Sequence, residues 1–126
     1  MKLTLVCEDS MYVRHMMVSM LRDLGLRAVL ASDGREGLAM IRSFQPDLVI
    51  AEVDLAVVSG MELLRLVKGD VALSSIPWIM MGSPSRRAET MAAGCPHFLP
   101  KPIKSRALEQ VVYQALHREA KNYARL

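Results

Sequence analysis

The chain contains 126 residues, a length that suits one domain because domains commonly contain about 100–200 residues. Hydrophobic residues make up 52% of it and charged residues 23%, which excludes a disordered chain and indicates a globular protein with its own core. The net charge is +3 but is unevenly spread. Residues 1–82 carry ten acidic and eight basic side chains, whereas residues 83–126 carry three and eight, so the C-terminal part is basic.

The sequence shows neither a membrane segment nor an export signal. No apolar run approaches the roughly 20 residues that span a bilayer, and the N-terminus lacks the apolar region and cleavage site of a signal peptide. We expect a cytoplasmic protein with one domain, residues 1–126. Cys7 and Cys95 have no cysteine or histidine nearby at metal-ligand spacing. We expect buried or partly buried free thiols, with a disulfide or a redox role as alternatives.

Five short apolar runs predict β-strands. Each run stops abruptly at a polar residue, a glycine or a proline, as a strand does when it is buried on both faces and then reaches solvent. The predicted strands are residues 3–7, 27–31, 47–52, 77–81 and 97–99.

Amphipathic segments between these runs predict five helices. Ser10 can cap the first, whose apolar residues recur at spacings of three to five until a glycine ends it. Pro46 stops the second, a third follows Gly60, a short fourth runs to Gly94, and the fifth follows Pro102. The alternation of strands and helices predicts an α/β, doubly wound fold with a parallel sheet and right-handed crossovers.

In a doubly wound sheet, chemistry is expected just beyond the carboxyl ends of the strands, where the crevice at the topological switch point lies. The residues at those positions are Glu8, Asp9, Glu52, Asp54, Gly82, Ser83 and Lys101. Glu8, Asp9 and Glu52 follow or end strands that become neighbours, and like charges about 4 Å apart repel by about 4 kcal/mol at an effective dielectric of about 20. A bound Mg²⁺ or the ammonium of Lys101 would offset this repulsion. Ordinary solvated acids at loop ends are the alternative.

Several short stretches follow one another in a specific order. They are the pair Glu8–Asp9 with Ser10 and Arg14, residues 46–52 (PDLVIAE), residues 60–64 (GMELL), Pro77, and residues 98–102 (FLPKP) after Gly94. Over essentially the whole chain they resemble response-regulator receiver domains of the CheY-like superfamily, including the stand-alone chemotaxis type. The resemblance implies a flavodoxin-like sheet of order 2-1-3-4-5 flanked by five helices. It also implies a role in bacterial two-component (phosphorelay) signal transduction.

The resemblance assigns roles to individual positions. In that family the acidic pair holds Mg²⁺, an aspartate ending strand 3 receives a phosphoryl group from a histidine kinase or phosphotransfer protein, and a hydroxyl residue ending strand 4 binds that group. By position, Lys101 matches the lysine that contacts the phosphoryl group and Pro102 the proline whose peptide bond is cis. Phe98 matches the aromatic switch residue, and Asp54 stands where the family mainly uses a backbone carbonyl as a metal ligand.

Two positions depart from the family. Glu52 replaces the phosphoacceptor aspartate, and its extra methylene adds about 1.5 Å of reach. A misplacement of about 1 Å can cost about a hundredfold in rate where positioning supplies the catalysis. Gly82 stands at the strand 4 hydroxyl position, and losing one such donor typically costs about 10²–10³. Ser83 follows, and the segment up to Gly94 is shorter than the family's, so a shift by one residue would return a hydroxyl to the site.

These departures leave three hypotheses. The first is a pseudo-receiver in which Glu52 lies near Lys101, partly imitates the phosphorylated state, weakens or abolishes Mg²⁺ binding and acts through protein–protein contacts. The second is a conventional receiver that is weakly phosphorylated at Glu52 or a nearby acid. The third uses the basic C-terminal part as a nucleic-acid surface. The residues of that part are Arg86, Arg87, Lys104, Arg106, Arg118, Lys121 and Arg125.

For this basic part we favour contact with protein over contact with nucleic acid, because no DNA-reading module follows it. The face of helix 4, strand 5 and helix 5 would meet a histidine kinase, a phosphotransfer protein, an output domain or a second copy of the chain. The sequence contains no Gly-rich phosphate loop and no Ser/His/Asp arrangement, so we expect a binding domain and not an enzyme.

Overall fold

A parallel five-stranded sheet with helices on both faces forms the framework of the molecule. The computed structural model describes the backbone of residues 2–124 and the side chains of residues 2–117. The strands are β1 Leu3–Cys7, β2 Arg27–Ala31, β3 Leu48–Glu52, β4 Trp78–Gly82 and β5 Phe98–Pro100. The helices are α1 Met11–Asp23, α2 Gly34–Phe44, α3 Gly60–Lys68, α4 Arg87–Ala92 and α5 Ser105–Ala124, with a 3₁₀ turn at Pro84–Arg86.

The order of strands in the sheet is β2-β1-β3-β4-β5, and every pair is parallel. This confirms the predicted α/β, doubly wound fold with order 2-1-3-4-5. The predicted bounds of β4 and β5 were each one residue too early, because Gly82 and Pro100 still pair with each other in the sheet.

Side-chain caps begin the first three helices. The Ser10 hydroxyl accepts a hydrogen bond from the Val13 N–H at 3.3 Å, and the Asp33 carboxylate accepts one from the Glu36 N–H at 2.8 Å. Ser59 caps α3 in the same way, accepting from the N–H of the third residue after it at 3.1 Å. Each cap satisfies a backbone donor that the helix leaves unpaired and typically contributes about 1 kcal/mol. Ser10 and Ser59 thus fix where the chain turns after β1 and β3.

The sheet is buried on both faces by two hydrophobic clusters. One cluster packs alternate residues of β1, β3 and β4 against α2 and α3, and the other packs the remaining residues against α1 and α5. This two-sided burial explains why the strands are continuous apolar runs without alternation. Cys7 and Cys95 are buried free thiols, as expected, and burial raises the pKa of Cys7 to about 12. Such a thiol is inert at neutral pH.

No helix within residues 2–124 is long and apolar enough to cross a membrane. Three residues of the predicted basic surface, Arg118, Lys121 and Arg125, lie outside the side chains that the structure describes.

Candidate functional site

The carboxyl ends of β1, β3 and β5 bring three predicted residues together. Glu8 follows β1 and Glu52 ends β3, and these strands are neighbours whose register pairs Cys7 with Ala51. Lys101 follows β5, where its backbone N–H donates to the carbonyl of Gly82 at 2.8 Å. We call Glu8, Glu52 and Lys101 the acid–lysine site.

Lys101 bridges the two glutamates. Its Nζ lies 2.5 Å from Oε2 of Glu52 and 2.8 Å from Oε2 of Glu8. The side chain of Glu8 is fully buried and that of Glu52 is 9% exposed, whereas that of Lys101 is 30% exposed. Among the described residues, the two Oε2 atoms have no other hydrogen-bond partner. Lys101 is therefore the counter-ion of two carboxylates that are removed from water.

Backbone donors hold the second oxygen of each carboxylate. Oε1 of Glu8 accepts a hydrogen bond from the Ser10 N–H at 3.1 Å, and Oε1 of Glu52 accepts one from the Asp54 N–H at 3.3 Å. Each donor lies two residues beyond its acceptor, in the turn that follows the strand. The local turns therefore fix the orientation of both carboxylates toward Lys101.

Burial and charge act in opposite directions on the ionisable groups of the site. Burial raises the pKa of Glu8 above its ordinary value, although Lys101 and the Ser10 N–H partly counter that effect. Burial alone would lower the pKa of Lys101, but the hydrogen bonds and charges of Glu52 and Glu8 outweigh it, so the pKa is raised. Lys101 is therefore fully charged at neutral pH.

Two glycines shape the space around Glu52. A Cβ on Gly60 would lie 2.1 Å from the backbone oxygen of Glu52, so only glycine lets α3 start this close to β3. A Cβ on Gly82 would lie 3.4 Å from Oε1 of Glu52, so Gly82 faces the carboxylate and presents no donor to it. Ser83 is exposed, and its hydroxyl lies 2.9 Å from that of Ser85. The structure thus shows no shift that would place the Ser83 hydroxyl against Glu52.

Asp54 lies at the mouth of the site and not with the buried acids. Its side chain is 64% exposed, and Nη1 of Arg86 lies 2.5 Å from both of its oxygens. Arg86 also binds Glu89 on α4 through Nε and Nη2. Arg86 was predicted only as part of a basic surface. Its contact with Asp54 spans 32 residues and leaves no local pattern in the sequence. Asp9 is exposed beside the site.

The remaining predicted positions lie on and after β5. The peptide bond between Lys101 and Pro102 is cis, as predicted. Phe98 is buried, and the guanidinium carbon of Arg87 lies 5.1 Å from the centre of its ring, within the range of a cation–π contact.

The sequence and the fold are similar to those of known proteins. The model of the response regulator receiver domain family matches residues 4–113. The chain is 27% identical to the chemotaxis protein CheY of Pseudomonas aeruginosa over 118 residues, which cover 90% of this chain and 95% of that protein. It superposes on a candidate response regulator of Chloroflexus aurantiacus with a TM-score of 0.87 and 28% identity, covering 93% of this chain and 98% of the other.

The chain therefore belongs to the response regulator receiver domain family. It is a receiver domain of two-component signalling. The chain spans only about half the length of some relatives. It is 26% identical to the DNA-binding response regulator MtrA of Mycobacterium tuberculosis over 117 residues, covering 90% of this chain and 50% of that protein.

Two more distant receiver domains share the fold. That of a sensor histidine kinase from P. aeruginosa, with magnesium coordinated in its active-site cleft, has a TM-score of 0.83 and 23% identity, and covers 91% of this chain and 97% of its own. The receiver domain of Ssk1 from Saccharomyces cerevisiae, in complex with the histidine phosphotransfer protein Ypd1, has a TM-score of 0.82 and 18% identity. The match covers 94% of this chain and 91% of that chain. At these identities the likeness shows the shared fold.

The residues of this chain do not fit a Mg²⁺ ion as they are arranged. One oxygen of Glu8 and one of Glu52 face Lys101, their other oxygens accept backbone N–H groups, and Asp54 is turned toward Arg86. Within the described residues no three acidic, histidine or cysteine side chains converge as metal ligands. A Mg²⁺ ion prefers oxygen ligands in octahedral geometry, so it would have to displace the ammonium of Lys101.

Proposed function

We propose that this chain is an atypical receiver, a pseudo-receiver in which Glu52 occupies the phosphoacceptor position and signalling proceeds without ordinary aspartyl phosphorylation. The observation that carries this proposal is the ion pair of Lys101 with both Glu52 and Glu8. It gives the site a permanent negative charge next to Lys101, where a phosphorylated receiver would carry its phosphoryl group. The chain would act through protein contacts and not as an enzyme.

Three features of the site oppose phosphoryl transfer to Glu52. Its Oε2 is paired with Lys101 and its Oε1 accepts the Asp54 N–H, so both oxygens of the would-be nucleophile are already engaged. Gly82 offers no hydroxyl to stabilise the charge that develops during transfer. The same pairing opposes the divalent ion that ordinarily neutralises the transferred group. Because phosphoryl transfer depends almost entirely on positioning and electrostatics, these losses act together.

The proposed contact surface is the face formed by α4, β5 and α5. On this part of the chain Met91 is an exposed apolar side chain, and Arg87, Lys104 and Arg106 are exposed basic residues. This composition suits a protein partner with acidic groups around an apolar patch. A histidine kinase, a phosphotransfer protein, an output domain or a second copy of the chain would fit. The complex of the Ssk1 receiver domain with Ypd1 supports a phosphotransfer protein as one such partner.

The mass of the intact protein after incubation with acetyl phosphate and MgCl₂ tests the proposal. We expect no added phosphoryl group on the wild type. The double variant Glu52→Asp/Gly82→Ser should gain one, because it restores the shorter carboxylate and a hydroxyl donor. The single variant Glu62→Asp, on the exposed surface of α3, is the matched control and should gain none. A stoichiometric mass increase mapped to Glu52 or Asp54 in the wild type would favour the weakly phosphorylated receiver instead.

A further inference from the structure

Two consecutive arginines connect the mouth of the site to the ring of Phe98. Arg86 closes the 3₁₀ turn after β4 and binds Asp54, which lies two residues beyond Glu52. Arg87 begins α4 and places its guanidinium 5.1 Å from the centre of the Phe98 ring on β5. The loop that follows Glu52 and the Phe98 ring on β5 are thus connected through the adjacent side chains of Arg86 and Arg87.

We propose that Arg86 and Arg87 form a permanent coupling element, in which the Asp54–Arg86 ion pair sets the position of α4 and of the Phe98 ring. The inference rests on the proposed function and deepens it, because it explains how a site without a phosphoryl group keeps the α4–β5–α5 face in one conformation. Gly82 has no side chain with which β4 could reach Glu52. Arg86, in the turn that follows β4, makes the link at Asp54 instead.

The shortness of α4 makes its position sensitive to these contacts. The helix contains six residues, of which only Thr90 is buried, and the Thr90 hydroxyl donates to the carbonyl of Arg87 within the same helix. Helices this short are marginal without tertiary contacts. Arg86 also binds Glu89 on α4, so one guanidinium holds both the helix and the β3–α3 loop. The contacts of Arg86 and Arg87 therefore add to the burial of Thr90 in orienting α4.

Fluorine NMR offers a direct test because the chain has only two phenylalanines, Phe44 and Phe98. Protein labelled with 4-fluorophenylalanine should give two resonances, assigned by Phe44→Leu. Phe44 ends α2 and is exposed, so it serves as an internal reference. We expect Arg86→Gln and Asp54→Asn each to shift the Phe98 resonance and to leave the Phe44 resonance unchanged. The double variant should show the shift of Arg86→Gln alone, because Asp54→Asn has no link left to remove once the guanidinium is gone.

The matched control is Arg65→Gln. It breaks an equally short ion pair, Arg65–Glu62, which lies within α3 and joins no two segments. Both fluorine resonances should stay in place. A test without any substitution is a salt titration of the wild type: about 1 M NaCl shortens the screening length to about 3 Å, so the Phe98 resonance should move toward its position in Arg86→Gln.

The inference is overturned if the Phe98 resonance is the same in wild type, Arg86→Gln and Asp54→Asn while circular dichroism shows that all three are folded. Shifts that simply add in the double variant would also overturn it, and so would a wild-type resonance that is insensitive to salt. The salt titration decides the matter even if a variant fails to fold. The phosphorylation test gives a separate result. If the chain gains no phosphoryl group but the Phe98 resonance does not move in the variants, only the coupling is rejected and the proposed function stands.

Discussion

At the scale of single residues, Lys101 is the counter-ion of two carboxylates, because its ammonium lies between those of Glu8 and Glu52. Taking a carboxylate out of water is costly unless a counter-ion and hydrogen bonds replace the solvent. The backbone N–H groups of Ser10 and Asp54 supply one hydrogen bond to each carboxylate. Lys101 supplies the charge, so its removal would leave two buried acids without compensation.

We therefore expect Lys101→Met to lower the free energy of unfolding by about 3 kcal/mol. This is the lower end of the range for breaking a buried ion pair, because Lys101 is partly exposed. Urea unfolding followed by circular dichroism measures the change. Lys104→Met, which removes an exposed lysine three residues away, should change the free energy of unfolding by no more than about 0.5 kcal/mol. Equal effects of the two substitutions would contradict the role given to Lys101.

The same pairing predicts how the protein responds to divalent metal. In the wild type, adding MgCl₂ should leave the Tm unchanged relative to a choline chloride control of equal ionic strength, because Lys101 already pairs with both Glu8 and Glu52. In Lys101→Met, Mg²⁺ should raise the Tm in a saturable way, since a ligand that binds only the folded state stabilises it by mass action. A saturable rise in the wild type would show that Mg²⁺ displaces Lys101.

At the scale of elements, the close approach of α3 to β3 positions the loop that follows Glu52. Gly60 begins α3, and its backbone N–H donates to the carbonyl of Val53 at 2.9 Å. The close passage of Gly60 over the Glu52 carbonyl leaves no room for a side chain. The loop between β3 and α3 is thereby held against the end of β3, where it places the Asp54 N–H next to Glu52.

Gly60→Ala should therefore destabilise the protein by about 1–3 kcal/mol, the usual cost of forcing extra volume into a packed site. Gly69→Ala is the control, because a Cβ there would lie 3.4 Å from the nearest backbone oxygen and the residue has a helical conformation. It should be neutral or slightly stabilising. Urea unfolding of the two variants distinguishes them, and a Gly60→Ala variant as stable as wild type would mean that α3 can withdraw from β3 without loss.

At the scale of the whole molecule, the dependence of stability on pH sums over every ionisable group, and Lys101 contributes a distinct part. The pKa of Lys101 is raised in the folded chain by Glu52 and Glu8 against the opposing effect of burial. The folded state then holds the proton more tightly than the unfolded state does. The resulting stabilisation is fully present below the ordinary lysine pKa of about 10.4 and is lost as the pH rises through the raised folded value.

We expect the free energy of unfolding of the wild type to fall more steeply, as the pH rises above about 10.4, than that of Lys101→Met, which lacks the group. Lys104→Met should follow the wild type, since its substitution leaves the acid–lysine site intact. Urea titrations at a series of pH values give the three curves. Parallel curves for wild type and Lys101→Met would contradict the raised pKa of Lys101.

The fold and the positions of the site residues along the chain could be predicted from the order of residues. Apolar runs that end abruptly, such as residues 3–7 before Glu8, predict strands buried on both faces, and their alternation with capped helices predicts the parallel sheet. The physical reason is that burial and capping are local and periodic, so they leave a pattern in the order of residues. The same reasoning placed Glu52, Gly82 and Lys101 at the carboxyl edge of the sheet.

Which of these residues contact one another could not be predicted and is known from the folded structure. These contacts join segments that are distant in the chain. Lys101 pairs with both Glu8 and Glu52, and Asp54 pairs with Arg86. Gly82, and not Ser83, lies against Glu52. Such contacts depend on the register of neighbouring strands and on the direction of individual side chains. Neither has a period in the sequence, and the charge of Arg86 alone could not distinguish an exposed basic residue from one that spans the mouth of the site.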